Sequence, residues 1–223
     1  MKKIPKKPKI IIAPVGNNLE DRVLSQKDIE ELFDKGQFNL EFCTLSQVVI
    51  KKAKLPKLIL RDASLKQFEV TDAVMTDSSF ELAEFTESKF DDVNLERSNF
   101  SEIASSELSF KNVTLNSAKF FDADLCGALF LDADLVDCDF LLADLSSARF
   151  EDCVLSGASL KDSDLAETVF QDVSFKDTDF TGSDLDETVF EECEGTVLYQ
   201  GKTYEIEEFV ASLSALKSDP TGF

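Results

Sequence analysis

Residues 118–137 read AKFFDADLCGALFLDADLVD. A bulky apolar residue stands at every fifth position (Phe120, Leu125, Phe130, Leu135), and a small one two places before each (Ala118, Ala123, Ala128, Ala133). The count extends both ways. Of the 31 positions ending in 0 or 5 from Leu40 to Phe190, 30 are Leu, Phe, Ile, Val or Met, Ser105 being the exception. Of the 25 small slots from Ala73 to Cys193, only Ile103 and Leu108 are large. Helices repeat at 3.6 residues and strands at 2, so neither gives a period of five. A chain that buries two of every five residues on a fixed cycle turns once per five residues. Over some 155 residues this is a solenoid.

Ala123-Asp-Leu-Cys-Gly127, Ala133-Asp-Leu-Val-Asp137, Ala143-Asp-Leu-Ser-Ser147 and Ser183-Asp-Leu-Asp-Glu187 resemble the A(D/N)LXX unit of the pentapeptide repeat proteins. The resemblance covers residues 38–194. It implies an all-β solenoid: a right-handed quadrilateral β-helix of about eight coils, 20 residues each. At a strand spacing of ~4.8 Å the coils make a rod roughly 37 Å long. Folding the sequence by 20 aligns Phe90, Phe110, Phe130, Phe150, Phe170 and Phe190 in one column, and Phe80, Phe100, Phe120 and Phe140 in another. Their rings are expected to stack inside the rod. Ser105 interrupts a third column, and the adjacent oversized Ile103 and Leu108 are expected to replace its lost volume without a change of register.

The ends need caps, because terminal coils expose apolar edges and unpaired backbone. Residues 1–37 form a basic N-terminal segment and a cap helix, begun at Ser25 and carrying Ile29, Leu32 and Phe33. Residues 195–223 read as a hairpin around Gln200-Gly201 followed by an amphipathic helix. Its Ile206, Phe209, Val210, Leu213 and Leu216 fit either a lid on the last coil or a two-fold dimer contact. The dimer is what the resemblance to DNA-mimicking family members implies.

The composition leaves little for catalysis. The chain has no His, so no Ser-His or Cys-His pair, and its eight Gly form no phosphate-cradling run. No catalytic, cofactor-binding or metal site is expected, and the flat acidic rows lack a loop to wrap calcium. Cys43, Cys138, Cys153 and Cys193 occupy small inward slots, Cys126 an outward one. The sequence shows neither a membrane span nor a secretory core segment, so a cytoplasmic protein is expected, with secretion as an effector the alternative.

Charge is lopsided. Residues 1–60 hold 12 basic and 7 acidic side chains, residues 61–223 hold 11 and 37. At two places after the large residue, Asp72, Asp92, Asp132, Asp152, Asp172 and Glu192 align, with Asn112 in the gap. At one place before it, Asp124, Asp144, Asp164 and Asp184 align; these belong to the repeat unit and can bond nearby backbone in a turn. The overall field is about one net negative charge per 1.4 Å of rod, against ~1.7 Å for duplex DNA. Phe121, Leu131, Val136, Leu141 and Leu142, with Leu129 beside them, form an outward apolar cluster within two coils. The basic residues 1–20, with Ile10–Ile12, are an alternative cover for it.

Two functions are therefore open. One is a non-enzymatic protein whose acidic rod engages a basic protein surface. The resemblance gives this the form of duplex-DNA mimicry toward gyrase or topoisomerase IV, without direct nucleic-acid or membrane binding. The absence of inserted loops and the basic N-terminal third argue against that form. The other is a protein-interaction scaffold, bacterial effector or regulator that binds through the apolar cluster.

Overall fold

The computed structural model describes residues 23, 24 and 26–218. The coil begins at Leu40 and advances with a register of 20 residues on four sides. The first side pairs Val23–Leu24, Thr44–Ser46, Ser64–Lys66, Glu84–Thr86 and Ala104–Ser106 as one parallel sheet. It continues through the bridges Asp124–Asp144–Asp164–Asp184. The second side is an eight-stranded parallel sheet from Val49–Lys51 to Val189–Glu191. The third side runs through Thr114, Asp134 and Val154, the fourth through Ile59, Ser79, Asn99 and on to Asp179. The chain is a β-solenoid of about eight turns with a helix at each end.

The corners explain the period. All 31 positions ending in 2 or 7 from Phe42 to Glu192 have positive φ, between 49° and 79°. One left-handed residue per five swings the chain through each corner, and the corner amides still pair between coils (Asp62 N to Glu81 O, 3.0 Å). Fifteen of the 31 are Asp, Asn or Gly, the residues that take this conformation at least cost.

Inside, every large residue from Leu40 to Leu185 is buried except Ser105. The second-side phenylalanines stack nearly parallel, with centroids 4.7–5.2 Å apart from Phe90 to Phe190. The fourth-side rings stack likewise at 4.6–5.0 Å from Phe80 to Phe140. Across the rod the two stacks meet edge to face, as at Phe90–Phe100 (6.0 Å, 89°) and Phe130–Phe140 (6.2 Å, 89°). The second and fourth sides are therefore opposite walls sharing one aromatic interior.

The small slots accept polar residues because their protons have a place to go. Ser98, Thr168, Thr178 and Cys138 donate to the carbonyls of Met75, Leu145, Leu155 and Leu115, each 23 residues earlier, at 2.8–3.1 Å. Burial pushes the Cys153 thiol up to about 12, and drives Cys138 upward as well. These buried thiols are packing groups. Cys126 is exposed and Cys193 half-buried.

Ser105 leaves the register untouched: Phe85 still faces Ser105, and Ser106 still faces Thr86. Ile103 and Leu108 are buried beside it, as the volume argument requires. The Ser105 hydroxyl donates to Asp124 O at 2.8 Å, and the first-side sheet stops there.

At the N-terminal end, helix α1 (Gln26–Asp34) buries Ile29 and packs Leu32 and Phe33 against the first coil. Ser25, the expected cap, lies outside the described residues. At the other end, strands Glu194–Tyr199 and Lys202–Glu205 form an antiparallel hairpin closed by Gln200 and Gly201, both with positive φ, as a tight two-residue turn requires. Helix α2 (Ile206–Ser218) then buries Ile206 and Phe209. The Phe209 ring lies 5.8 Å from Phe180, 6.0 Å from Phe190 and 5.3 Å from Tyr199, so this turn of helix covers the last coil. Val210 and Leu213 are half-buried against the same cluster, and Leu216 lies further along the helix, beyond the described side chains.

Between Phe175 and Thr178 the pairing to the last strand slips by one residue, at Gly195. The period of five ends there.

Candidate functional site

The rod interior is filled, and its charged rows stand at the corners. The corner between the second and third sides carries Lys52, Asp72, Asp92, Asn112, Asp132, Asp152, Asp172 and Glu192 in line. The six acids are all exposed. Their amides pair between coils (Asp132 N to Glu151 O, 3.0 Å), but among the described residues no hydrogen bond or ion pair holds any of their carboxylates. Neighbouring charges about 4.8 Å apart repel by roughly 1 kcal/mol in water.

Other corners show how such a row is normally relieved. Between the first and second sides, Gln47 donates to Gln67 (3.1 Å) and Gln67 to Glu87 (2.6 Å). Between the third and fourth, Arg97 grips Asp77 through Nε (2.8 Å) and Nη2 (3.1 Å), holding that carboxyl below its ordinary range. The left-handed corner favours Asp but does not demand it, since Glu, Gln, Ser, Lys and Arg occupy equivalent positions. The six acids on one corner are thus additional to what the backbone asks. This corner conformation was missed in the sequence. Its signal was present: Asp, Asn and Gly recur two places after the large residue.

Asp124, Asp144, Asp164 and Asp184 are different. Each uses Oδ1 to accept the backbone N–H two residues on: Cys126 (3.2 Å), Ser146 (2.9 Å), Ala166 (2.9 Å) and Asp186 (2.9 Å). This column is built into the turn, and the repeat alone explains it.

The apolar cluster does not form a single patch. Leu129 and Leu131 lie in a strand of the second side, Val136 at the end of the third, and Phe121, Leu141 and Leu142 at the end of the fourth. Closeness in sequence spread these residues around the rod, because five residues turn the chain through a quarter of its circumference. Five of the six are half-buried, and Leu142 is 49% exposed.

Two open grooves accompany these surfaces. One of about 600 Å³ runs beside the start of the acidic corner, lined by Lys52, Lys54, Asp72, Asp92 and Asn112 among others. The second, about 510 Å³, lies between Phe190, Cys193 and the Ile206–Ala211 turn of α2.

On the fourth side Asp179 is nearly buried. Desolvation pushes its carboxyl up, but Lys161 Nζ at 2.8 Å and the Thr181 N–H at 2.9 Å outweigh this and hold it below the ordinary range. The folded carboxyl is thus more acidic than the unfolded one, whose pKa is about 3.9. Its stabilising contribution is present above that value and lost as pH falls through the lower folded pKa. The stability gap between the native chain and Asp179→Asn, measured by urea unfolding, should be largest near neutrality. It should close as pH falls below about 4.

The geometry defines a filled, acidic β-solenoid whose corners carry its charged rows. Residues 128–196 match the family model of the pentapeptide repeat region, and residues 51–140 match that of the SV2A/B/C luminal domain. The coil of five-residue turns includes the residues matched to the pentapeptide repeat region and runs on beyond them toward the N-terminal end. No curated protein matches it. The chain is similar to a number of solved structures, three of which follow. HetL, a pentapeptide repeat protein involved in heterocyst differentiation regulation in the cyanobacterium Nostoc, is 18% identical over 80% of this chain and 98% of its own (TM-score 0.36). Full-length QnrB1, a plasmid-mediated fluoroquinolone resistance protein, is 14% identical over 78% and 98% (TM-score 0.32). A pentapeptide repeat protein of the Arabidopsis thaliana thylakoid lumen is 17% identical over 52% and 67% (TM-score 0.36). Among the described residues no helix is long and apolar enough to cross a membrane.

Proposed function

We propose that the protein is a non-enzymatic, cytoplasmic binding protein whose acidic corner engages a basic surface on a protein partner. The observation that supports this is the row Asp72, Asp92, Asp132, Asp152, Asp172 and Glu192. It is exposed and unpartnered among the described residues, while other corners carry hydrogen-bonded or ion-paired ladders. A basic partner would relieve the repulsion that the fold leaves in place. The finer form of this reading is mimicry of duplex DNA toward a type II topoisomerase such as gyrase.

The test exploits the corner itself. Asn is at home in the left-handed conformation and already stands there at Asn112, so D92N/D132N/D152N/D172N removes four charges without disturbing the coil. Its unfolding midpoint should match or exceed that of the native chain. In a supercoiling assay with purified gyrase, the native protein should act at micromolar concentration, less so as salt rises. The variant should bind at least ~10-fold more weakly, a loss of about 1.4 kcal/mol. No effect of the native protein would reject the topoisomerase form. Equal effects of both proteins would reject the acidic corner.

A scaffold role through apolar contacts is the second reading. It rests on Phe121, Leu141 and Leu142, which the fold keeps together at the end of the fourth side.

A further inference from the structure

Where the period of five ends, the interior is left incompletely roofed. Phe190 is the last ring of the second-side stack, its centroid 5.2 Å from that of Phe170. The rings before it, from Phe90 to Phe170, are fully buried, whereas Phe190 is half-buried. Beyond Cys193 the chain leaves the coil for the hairpin, so no further storey covers this wall. Phe209 roofs one part of the opening through its contacts with Phe180, Phe190 and Tyr199. The other part is the groove of about 510 Å³ beside α2. Its size falls within the range of specific binding sites, roughly 300–1,000 Å³.

The groove is two-sided in chemistry. Phe190, Cys193, Ile206 and Ala211 give it an apolar floor, and Glu192 and Glu207 an acidic rim. No basic residue lines it. Glu207 stands in the first turn of α2, where a carboxylate complements the helix dipole. Glu192 is the last member of the acidic corner row, one coil beyond Asp172, so that row runs directly into the groove. The surrounding segment, residues 184–208, holds nine acids and one base, Lys202. A second copy placed face to face here would set nine acids against nine, which like-charge repulsion opposes. A basic partner meets no such barrier.

We propose that the partner engaged by the acidic corner also inserts a bulky apolar side chain, flanked by lysines or arginines, into this groove. The corner row and the groove are then one continuous docking surface. Carboxylates steer and hold the basic flanks, and the anchor is desolvated beside Phe190. This anchor presupposes the basic partner of the acidic corner, and adds to it the kind of side chain that partner carries.

Cys193 reports on the groove. Its thiol is half-buried, and burial pushes it above its ordinary range, so alkylation should be slow yet measurable in mildly alkaline buffer. Cys126, exposed on the first side, is the reference. Full-length protein is treated with N-ethylmaleimide, and the rate at each cysteine is followed by mass spectrometry, alone and with three synthetic peptides. The first carries Leu-Phe between two runs of four lysines. Extended, each run reaches ~13 Å, enough for the ~10 Å from Glu192 to Asp152. The second peptide replaces Leu-Phe by Ser-Ser, and the third replaces the lysines by glutamates. At saturation the first should slow Cys193 several-fold and leave Cys126 unchanged. The second, lacking the anchor, should need at least ~10-fold higher concentration for the same protection, and the third should give none.

Equal protection by the two lysine peptides would overturn the anchor and leave the acidic corner standing. Protection by the first peptide that is unchanged in D92N/D132N/D152N/D172N would overturn the corner itself, and with it the continuous surface. No protection at millimolar peptide would overturn the groove as a docking site. So would a Cys193 as inert as buried Cys138 in a protein that light scattering shows to be dimeric, which would give the groove to a second copy. Ala211 is exposed on α2, so Ala211→Phe should fill the groove and erase the difference between the two lysine peptides. A difference that persists in this variant would place the anchor elsewhere and reject the groove.

Discussion

Replacing Gly195 by alanine should detach the C-terminal cap. A Cβ built on Gly195 falls 1.4 Å from the Phe175 carbonyl oxygen and 2.6 Å from its carbon, and φ is +99°. The obstruction is backbone of the previous coil, so no side chain can swing away to relieve it. The expected cost is about 3 kcal/mol or more, larger than glycine's conformational freedom alone would explain. Gly201 is the control. It also has positive φ (+76°), but nothing lies within 4 Å of its Cβ position, so Gly201→Ala should cost about 1 kcal/mol. The readout is selective. The chain has two Tyr and no Trp, and both Tyr199 and Tyr204 ring-pack on Phe209. Loss of near-ultraviolet tyrosine dichroism with strand signal retained would show the cap leaving an intact solenoid. Unchanged dichroism in Gly195→Ala would refute the close contact.

Truncating Phe130 to alanine should be of similar or greater effect, by another route. Its ring stacks on Phe110 at 5.1 Å and on Phe150 at 4.7 Å, and meets Phe120 and Phe140 edge on at 6.2 Å. Phe-to-Ala changes in packed cores cost about 3–5 kcal/mol, and here the cavity opens midway along the rod. In a solenoid each coil is held only by its neighbours, so one vacancy weakens both adjoining interfaces. Urea unfolding followed by hydrogen exchange should show protection lost first around residues 110–150. Phe130→Leu keeps the volume more nearly and loses ring stacking, so about 1 kcal/mol is expected. Leu142→Ala, on the surface, should change stability little. Equal effects at Phe130 and Leu142 would contradict the aromatic interior.

The centres of the repeat were legible because burial is a one-dimensional signal. Leu115, Phe120 and Leu125 announce their depth by size alone, and the small slots at Ala118 and Ala123 by lack of it. Ser105 could be read for the same reason, since volume missing at one position was visible as excess at Ile103 and Leu108. The hairpin was legible from Gln200-Gly201, where turn chemistry is local. Direction around the rod was not. Phe121 and Leu131 are ten residues apart, near in sequence yet on opposite walls, and only the coil of 20 separates them. The corner conformation was overlooked because φ has no hydrophobic signature. It appears instead as a preference for Asp, Asn and Gly, which is easily taken for charge alone. The two acidic columns look alike in sequence. Asp144 ties down its own turn while Asp152 reaches into solvent, and hydrogen bonding alone separates them.

The aromatic stacks, the corner rows and the slot hydroxyls all repeat every 20 residues, while the chain's local rule repeats every five. The molecule therefore has two reading frames. Duplication or loss of 20 residues adds or removes one storey and leaves every vertical row in line. A change of five residues satisfies the local rule equally well but rotates all later storeys by a quarter turn. The acidic row would break onto a neighbouring corner, and phenylalanines would meet leucines in the interior. Lengthening such a protein is easy in one frame and costly in the other, so the smallest heritable unit of its surface is a whole coil rather than a single repeat.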